Sequence, residues 1–336
     1  EKMNEMYVEV SADIKKFSQK YECCSIHLKP KMCSIVYPDD IEHVEDIITL
    51  GHIFHTMVPA DVGFIPAADL VKTERYKIES DMNGILHTAI HNKGFEMYYQ
   101  PIFNFDEGSF SSAEALIRLK HPQYGYISPS IFIPAAEKLG LILAIGDFVL
   151  ESVFEFVSKY DLKSLGLKYI EINLSVGQCF QIDLVEKINR LQEKYNVDPS
   201  MINFEITETS YNDVDNSALN NIRQLVEKGY SFSLDDYGTG YSNIQRILKL
   251  PLSITKIDKS LIDELGTPEG DAIVRNTIFM MKDIKKKVLA EGVEQASQLE
   301  MLQQMGCDYI QGFHFSRPLP GEEFVDFLRK RYEANK

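Results

Sequence analysis

The chain has 336 residues, 44% of them hydrophobic, with 35 Lys and Arg against 50 Asp and Glu and a formal net charge of −15. Such a length fits one large barrel plus a smaller domain, while the acidic balance excludes a basic surface that grips a nucleic-acid polymer by its phosphates. No apolar run approaches the roughly 18 residues that span a bilayer, and no charged-then-apolar leader opens the chain, so this fragment is expected to be cytoplasmic and free of membrane contact, whatever an upstream region adds.

In chain order, residues 6–19 predict a helix, 23–27 and 32–37 predict strands, and 41–55 predict a second helix entered through the turn Pro38-Asp39-Asp40. The apolar face of Ile85, Leu86 and Ile90 predicts another helix over 78–91. The end of this small α/β segment is expected between residues 72 and 79. From Phe95 onward, apolar runs at 95–103, 111–119, 169–175, 202–209, 230–236, 254–258, 288–294 and 309–315 predict strands. Helical patterns at 141–160, 183–195, 218–227, 271–286 and 297–305 lie between them. This cadence predicts an α/β fold of TIM-like (β/α)8 type, with a doubly wound open sheet as the competing arrangement.

The five cysteines, Cys23, Cys24, Cys33, Cys179 and Cys307, are odd in number and lack paired ligand spacing, which fits a reducing compartment and no zinc site. More informative is how the predicted strands end: in Glu114, Asn173, Glu205, Asp235 with Asp236, Lys256, Glu291 with Glu294, and Gln311. In a barrel these ends converge on one face. Crowded carboxylates raise one another's pKa unless cations neutralise them, and oxygen ligands without cysteine favour Mg²⁺, Mn²⁺ or Ca²⁺. Asp235 beside Asp236 can bridge two cations, the arrangement used in phosphoester hydrolysis. Lys256 can orient an attacking hydroxide or stabilise developing phosphorane charge, or else form a salt bridge to Asp235 or Asp258. The turn from Asp235 through Gly238 and Gly240 to Ser242 reads as a cover over such a site.

These residues, taken with Tyr99-Gln100-Pro101-Ile102, Ala113-Glu114-Ala115-Leu116-Ile117-Arg118, Asn173-Leu174-Ser175, Glu205-Ile206-Thr207-Glu208, Asp235-Asp236-Tyr237-Gly238-Thr239-Gly240, Lys256-Ile257-Asp258, Ala290-Glu291-Gly292-Val293-Glu294 and Gln311-Gly312-Phe313, resemble the EAL phosphodiesterase domain that linearises cyclic di-GMP. The resemblance covers residues 76–331. It implies a barrel whose first strand can run antiparallel. It implies a first metal on Glu114, Asn173, Glu205 and Asp235, with Asp235 bridging to a second supported by Asp236 and Glu291; the two ions are Mg²⁺ or Mn²⁺. Lys256 and Gln311 position the water, and Glu291 is a candidate base as well as a ligand. Glu208 holds the loop 235–242, Arg118 meets a phosphate oxygen, Gln100 and Leu116 contact the nucleotide, and Glu294 belongs to the same nucleotide-binding set. The product is linear pGpG and a homodimer is expected. Two positions depart from the family's usual pattern: Tyr237 stands where phenylalanine is common, and Gln295 where threonine is frequent.

By resemblance, residues 1–72 look like the C-terminal part of a degenerate GGDEF-like domain and linker, without its signature, and residues 73–336 form the phosphodiesterase domain. A small packing domain is the other reading of the first segment. A catalytically silent cyclic di-GMP receptor is the alternative function; such receptors usually lose a ligand, and none is missing here. A barrel glycosidase using Glu205 and Glu291 leaves the paired aspartates, Lys256 and Asn173 without a role, and the chain has no tryptophan to stack on a sugar.

Overall fold

The computed structural model describes residues 2–20, 31–44, 46–59, 62–207, 216–239 and 244–334. It divides into two compact units, residues 1–92 with 120–135, and residues 93–119 with 136–336. The first contains the helix Lys2–Lys20 and a parallel pair of short strands, β1 (Met32–Ser34) and β2 (Phe64–Pro66), with the helix Asp46–Met57 between them. Its core gathers Ile41, Leu50, Ile53, Val58, Ala67 and Leu70. Two sequence expectations shift here. The second helix begins at Asp46 rather than 41, because after the turn at 37–40 residues 42–44 form further bends and a turn. The helix expected over 78–91 is two helices, Glu74–Ser80 and Met82–Asn92, separated at Asp81. The strand expected at 23–27 lies outside the described residues.

The second unit is built on β3 (Phe95–Asn104) and β4 (Ser109–His121); β5 (Gly125–Ile127) belongs to the first unit. Then follow β6 (Tyr169–Asn173), β7 (Ile202–Thr207), β8 (Ser231–Tyr237), β9 (Ile254–Ile257), β10 (Lys287–Ala290) and β11 (Tyr309–Gln311), with β12 (Leu319–Pro320) alongside β3. Strands β4 and β6 to β11 pair in parallel in that order. β3 closes the circle by pairing antiparallel with both β4 and β11, which makes an eight-stranded β/α barrel with a reversed first strand. The open-sheet alternative is thereby removed.

Period-two alternation divides each strand between two environments. Outward residues such as Ile170, Ile172, Phe204, Ile206, Phe232 and Leu234 pack in the large core with Val153, Phe154 and Ile188 of the helices Ile142–Lys159 and Leu184–Tyr195. Burying each such side chain is worth about 1.5–3 kcal/mol, so the outer layer carries the fold's apolar driving force. Inside the barrel, Ile102, Ile254 and Leu289 form a small apolar cluster with Tyr169 and Tyr309 packed on it. Buried polar side chains on the barrel strands include Ser112, Glu114, Glu171, Asn203, Glu205, Ser233 and Lys256.

Candidate active site

On β6 the outward isoleucines leave Glu171 and Asn173 facing inward; on β7 Glu205 sits between Phe204 and Ile206, and on β8 Asp235 follows Leu234. Strand register does the rest. Gln100 pairs with Glu114, Glu114 with Glu171, Asn173 with Glu205, and Thr207 with Asp235. Residues spread from Gln100 to Asp235 in sequence are thus brought to one end of the barrel.

Lys256 is the hub of this arrangement. Its fully buried Nζ lies 2.5 Å from Glu205 Oε1, 2.7 Å from Glu291 Oε1, 3.4 Å from Asp235 Oδ1, 3.6 Å from Glu114 Oε2 and 3.9 Å from Glu171 Oε2. Glu114 is held from two sides. Asn173 Nδ2 donates to its Oε1 at 2.8 Å, and Gln311 Nε2 donates to its Oε2 at 2.6 Å and to Gln100 Oε1 at 3.1 Å. Gln100 in turn donates from Nε2 to the Ser316 carbonyl at 3.2 Å.

Burial works against the Lys256 ammonium, but Asp235, Glu114, Glu205 and Glu291 outweigh it and hold the group well above the usual lysine range. Glu205 and Glu291 are pushed well above the ordinary carboxylate range, chiefly by burial and then by neighbouring carboxylates, with Lys256 opposing. Asp235 and Glu171 rise for the same reasons. Glu114 departs from the expectation that crowding raises every member. Burial favours its neutral form, yet Lys256 and the two amide donors stabilise the ionised one, and its pKa is lowered.

Asp235, Asp236 and Glu291 each offer an oxygen, and these atoms lie within 4.8 Å of one another. Glu205 Oε1 and Asp235 Oδ1 are buried with the Lys256 ammonium as their counter-charge, and Glu205 Oε2 is buried without an amide or hydroxyl donor among the described residues. A donor set of carboxylate oxygens plus one amide, with repelling charges and unused acceptors, fits a hard divalent cation. The Asp236 carboxyl is pushed up to about 6, first by burial and then by Asp235 and Asp258. A proton then competes with cations for this ligand as pH falls through about 6. Calorimetric titration with Mg²⁺ is therefore expected to show affinity weakening below that pH; affinity that stays flat from mildly acidic to mildly alkaline pH would remove Asp236 from the ligand set.

Local backbone shape helps aim these groups. Asp236 has φ 58°, a left-handed conformation that aspartate tolerates better than most residues. A Cβ at Gly312 would fall 2.0 Å from the Val293 carbonyl oxygen, so only glycine lets the segment after Gln311 pass that close. The two segments are also joined by backbone hydrogen bonds, from Val293 N–H to Gln311 O at 3.1 Å and from His314 N–H to Val293 O at 3.0 Å.

The other expected site residues stand further from the hub. Leu116 is half-buried on β4. Arg118, two positions on, lies over the Tyr98 ring at 5.5 Å, donates from Nη1 to the Ile117 carbonyl at 3.0 Å, and still feels the charge of Glu114. Glu294 is half-exposed and ion-paired with Lys259 at 3.2 Å. Asp258 caps the short helix Lys259–Ile262 through the Ser260 N–H. Glu208 and residues 240–242 of the expected cover loop lie outside the described residues. Glu171 is the participant that the sequence reading passed over, hidden as a mid-strand residue in an apolar run. The signal was its place two residues before Asn173, which puts both on one face of β6.

A β/α barrel with a carboxylate-rich centre at the strand ends is the class of protein that this fold and site define. Within it, the chain belongs to the EAL domain family, which matches residues 83–318. Among curated proteins it is 36% identical over 256 residues to "Signaling protein YkoW" of Bacillus subtilis, covering 76% of this chain and 32% of that protein. It is 32% identical over 326 residues to "Bifunctional diguanylate cyclase/cyclic di-GMP phosphodiesterase MucR" of Pseudomonas aeruginosa, covering 93% of this chain and 46% of that protein. The chain thus spans less than half the length of these two relatives. Among solved structures, "PaMucR Phosphodiesterase, c-di-GMP complex" aligns with a TM-score of 0.69 and 34% identity, covering 73% of this chain and 99% of that one. Among the described residues, no helix is long and apolar enough to cross a membrane.

Proposed function

We propose that this chain hydrolyses cyclic di-GMP to linear 5′-pGpG with the help of two divalent cations, Mg²⁺ or Mn²⁺. The observation that carries the reading is the set of carboxylates around Lys256, with the acceptors of Asp235, Asp236 and Glu291 gathered within 4.8 Å. Support comes also from relatives named as cyclic di-GMP phosphodiesterases and from a structural neighbour solved with that nucleotide.

In this reading Glu114, Asn173, Glu205 and Asp235 would hold the first cation, and Asp235, Asp236 and Glu291 would hold the second. When bound, the cations supply Lewis acidity toward water and the phosphodiester oxygens. Lys256, an ammonium donor fixed at the centre, orients the attacking water together with Gln311, whose amide is already tied to Glu114 and Gln100. Water oxygen adds to phosphorus in line as the P–O3′ bond breaks, which leaves a 5′-phosphate and a free 3′-hydroxyl. Glu291 takes the proton from water, and the departing O3′ takes one from solvent. Arg118 pairs with a phosphate oxygen through its fork of donors, while Gln100, Leu116 and Glu294 border the nucleotide. Glu208 steadies the loop 235–242.

Residues 1–72 are read as the C-terminal part of a GGDEF-like domain with its linker, and residues 73–336 as the phosphodiesterase domain. The alignment with bifunctional MucR over 93% of this chain supports a first segment of that kind. The working form is taken to be a cytoplasmic homodimer. Incubation with cyclic di-GMP and Mg²⁺ or Mn²⁺ is expected to yield pGpG, identified by chromatography and mass, and EDTA is expected to stop it. Nucleotide binding without pGpG in either metal would overturn the proposal and leave a receptor.

A further inference from the structure

Five carboxylates lie within 4 Å of Lys256, and four of them, Glu114, Glu205, Asp235 and Glu291, belong to the set assigned to metal. A carboxylate that ligates a divalent cation gives most of its charge to that cation. Loading the centre therefore strips Lys256 of those four partners and places further positive charge beside it. An ammonium so treated is driven from its place unless a counter-charge remains.

Glu171 is what remains. It is fully buried, and it lies one pleat deeper than Asn173 on β6, which puts it on the interior side of the ligands. Apart from the Glu205 carboxyl, which belongs to the ligand set, no hydrogen-bonding group meets its oxygens among the described residues. Its Oε2 stands 3.9 Å from Lys256 Nζ. Nothing in the cation-binding arrangement uses it. A residue that only filled space at this position would be apolar or small, as are its outward neighbours Ile170 and Ile172.

We propose that Glu171 is a positioning residue, the counter-ion that keeps the Lys256 ammonium in place when cations occupy the other four carboxylates. The inference rests on the metal-dependent reading above, and it adds to that reading a specific dependence of Lys256 on a carboxylate outside the ligand set.

The test is a double-mutant cycle on the Mn²⁺-saturated protein, read by thermal unfolding. Glu171→Gln, nearly isosteric, is expected to lower Tm by roughly 10 °C, because it leaves a buried ammonium uncompensated. Glu171→Gln combined with Lys256→Met is expected to recover most of that loss, since the charge needing compensation is gone. With cyclic di-GMP, Glu171→Gln is expected to reduce kcat by tenfold or more, roughly the effect of an orienting partner, with KM nearly unmoved. Additive effects in the cycle would overturn the proposal. Should Glu171→Gln fail to fold, a folded double variant supports it and an unfolded double variant overturns it. Absence of pGpG from the unmutated chain would instead defeat the phosphodiesterase reading, whereas the melting cycle judges Glu171 on its own.

Discussion

Replacing Glu114 by alanine is expected to lower cyclic di-GMP turnover by about a thousandfold, which corresponds to losing roughly 4 kcal/mol of transition-state stabilisation. Each of its oxygens is already assigned by the fold: Oε1 accepts from Asn173, and Oε2 from Gln311. It is also the one member of the cluster whose pKa is lowered, so it presents a committed anion to a cation at neutral pH. Without it, Asn173 and Gln311 lose the acceptor that orients them, and Lys256 loses one counter-charge among five. The barrel should survive. The substitution removes like-charge repulsion with Glu171 and Glu205, and Glu114 lies between Ala113 and Ala115 on a strand whose pairing does not depend on its side chain. Circular dichroism should therefore show an intact fold beside an assay that shows little pGpG. Near-native turnover would withdraw Glu114 from the centre.

Lys256→Met should act on stability as much as on chemistry. The ammonium is the counter-charge common to five buried or half-buried carboxylates, and removing one partner of a buried pair costs about 3–5 kcal/mol. For the metal-free protein that loss amounts to roughly 10 °C in Tm. Adding Mg²⁺ should restore much of it, because cations then neutralise the carboxylates that the lysine had neutralised. Turnover should remain about a hundredfold or more below the unmutated level even with metal, since a preorganised donor at the reacting centre has gone. Paired melts with EDTA and with Mg²⁺ decide the matter: a metal-free Tm unchanged by the substitution would mean that the carboxylates are neutralised by other means.

Much of this was legible before any coordinates. The alternation of apolar runs with helical segments announced eight barrel strands, and their polar ends named Glu114, Asn173, Glu205, Asp235, Lys256, Glu291 and Gln311, which lie together or bonded through one intermediary. What escaped has physical causes. Helix breaks such as that at Asp81 depend on packing rather than on periodicity. The strand expected over 288–294 stops at Ala290, because Gly292 takes a left-handed φ of 67° that breaks the extended backbone. Glu171 was lost because a charged residue inside a strand reads as an exception, until strand alternation places it beside Asn173. The lowered pKa of Glu114 required knowing that two amides converge on it, which sequence spacing does not encode.

The close passage at Gly312 has a mechanical consequence. Val293 lies two residues after Glu291, and its backbone is bonded to the backbone of Gln311 and of His314. Two arms of the reacting centre, one carrying a carboxylate and one carrying an amide, are therefore clamped to each other like the jaws of a fixed wrench rather than hinged separately. A displacement of Glu291 drags Gln311 with it, and through Gln311 it reaches Gln100 and Glu114 on the adjoining strands β3 and β4. Any separation of these two arms would have to break both backbone bonds, so this side of the barrel mouth keeps its spacing as a unit.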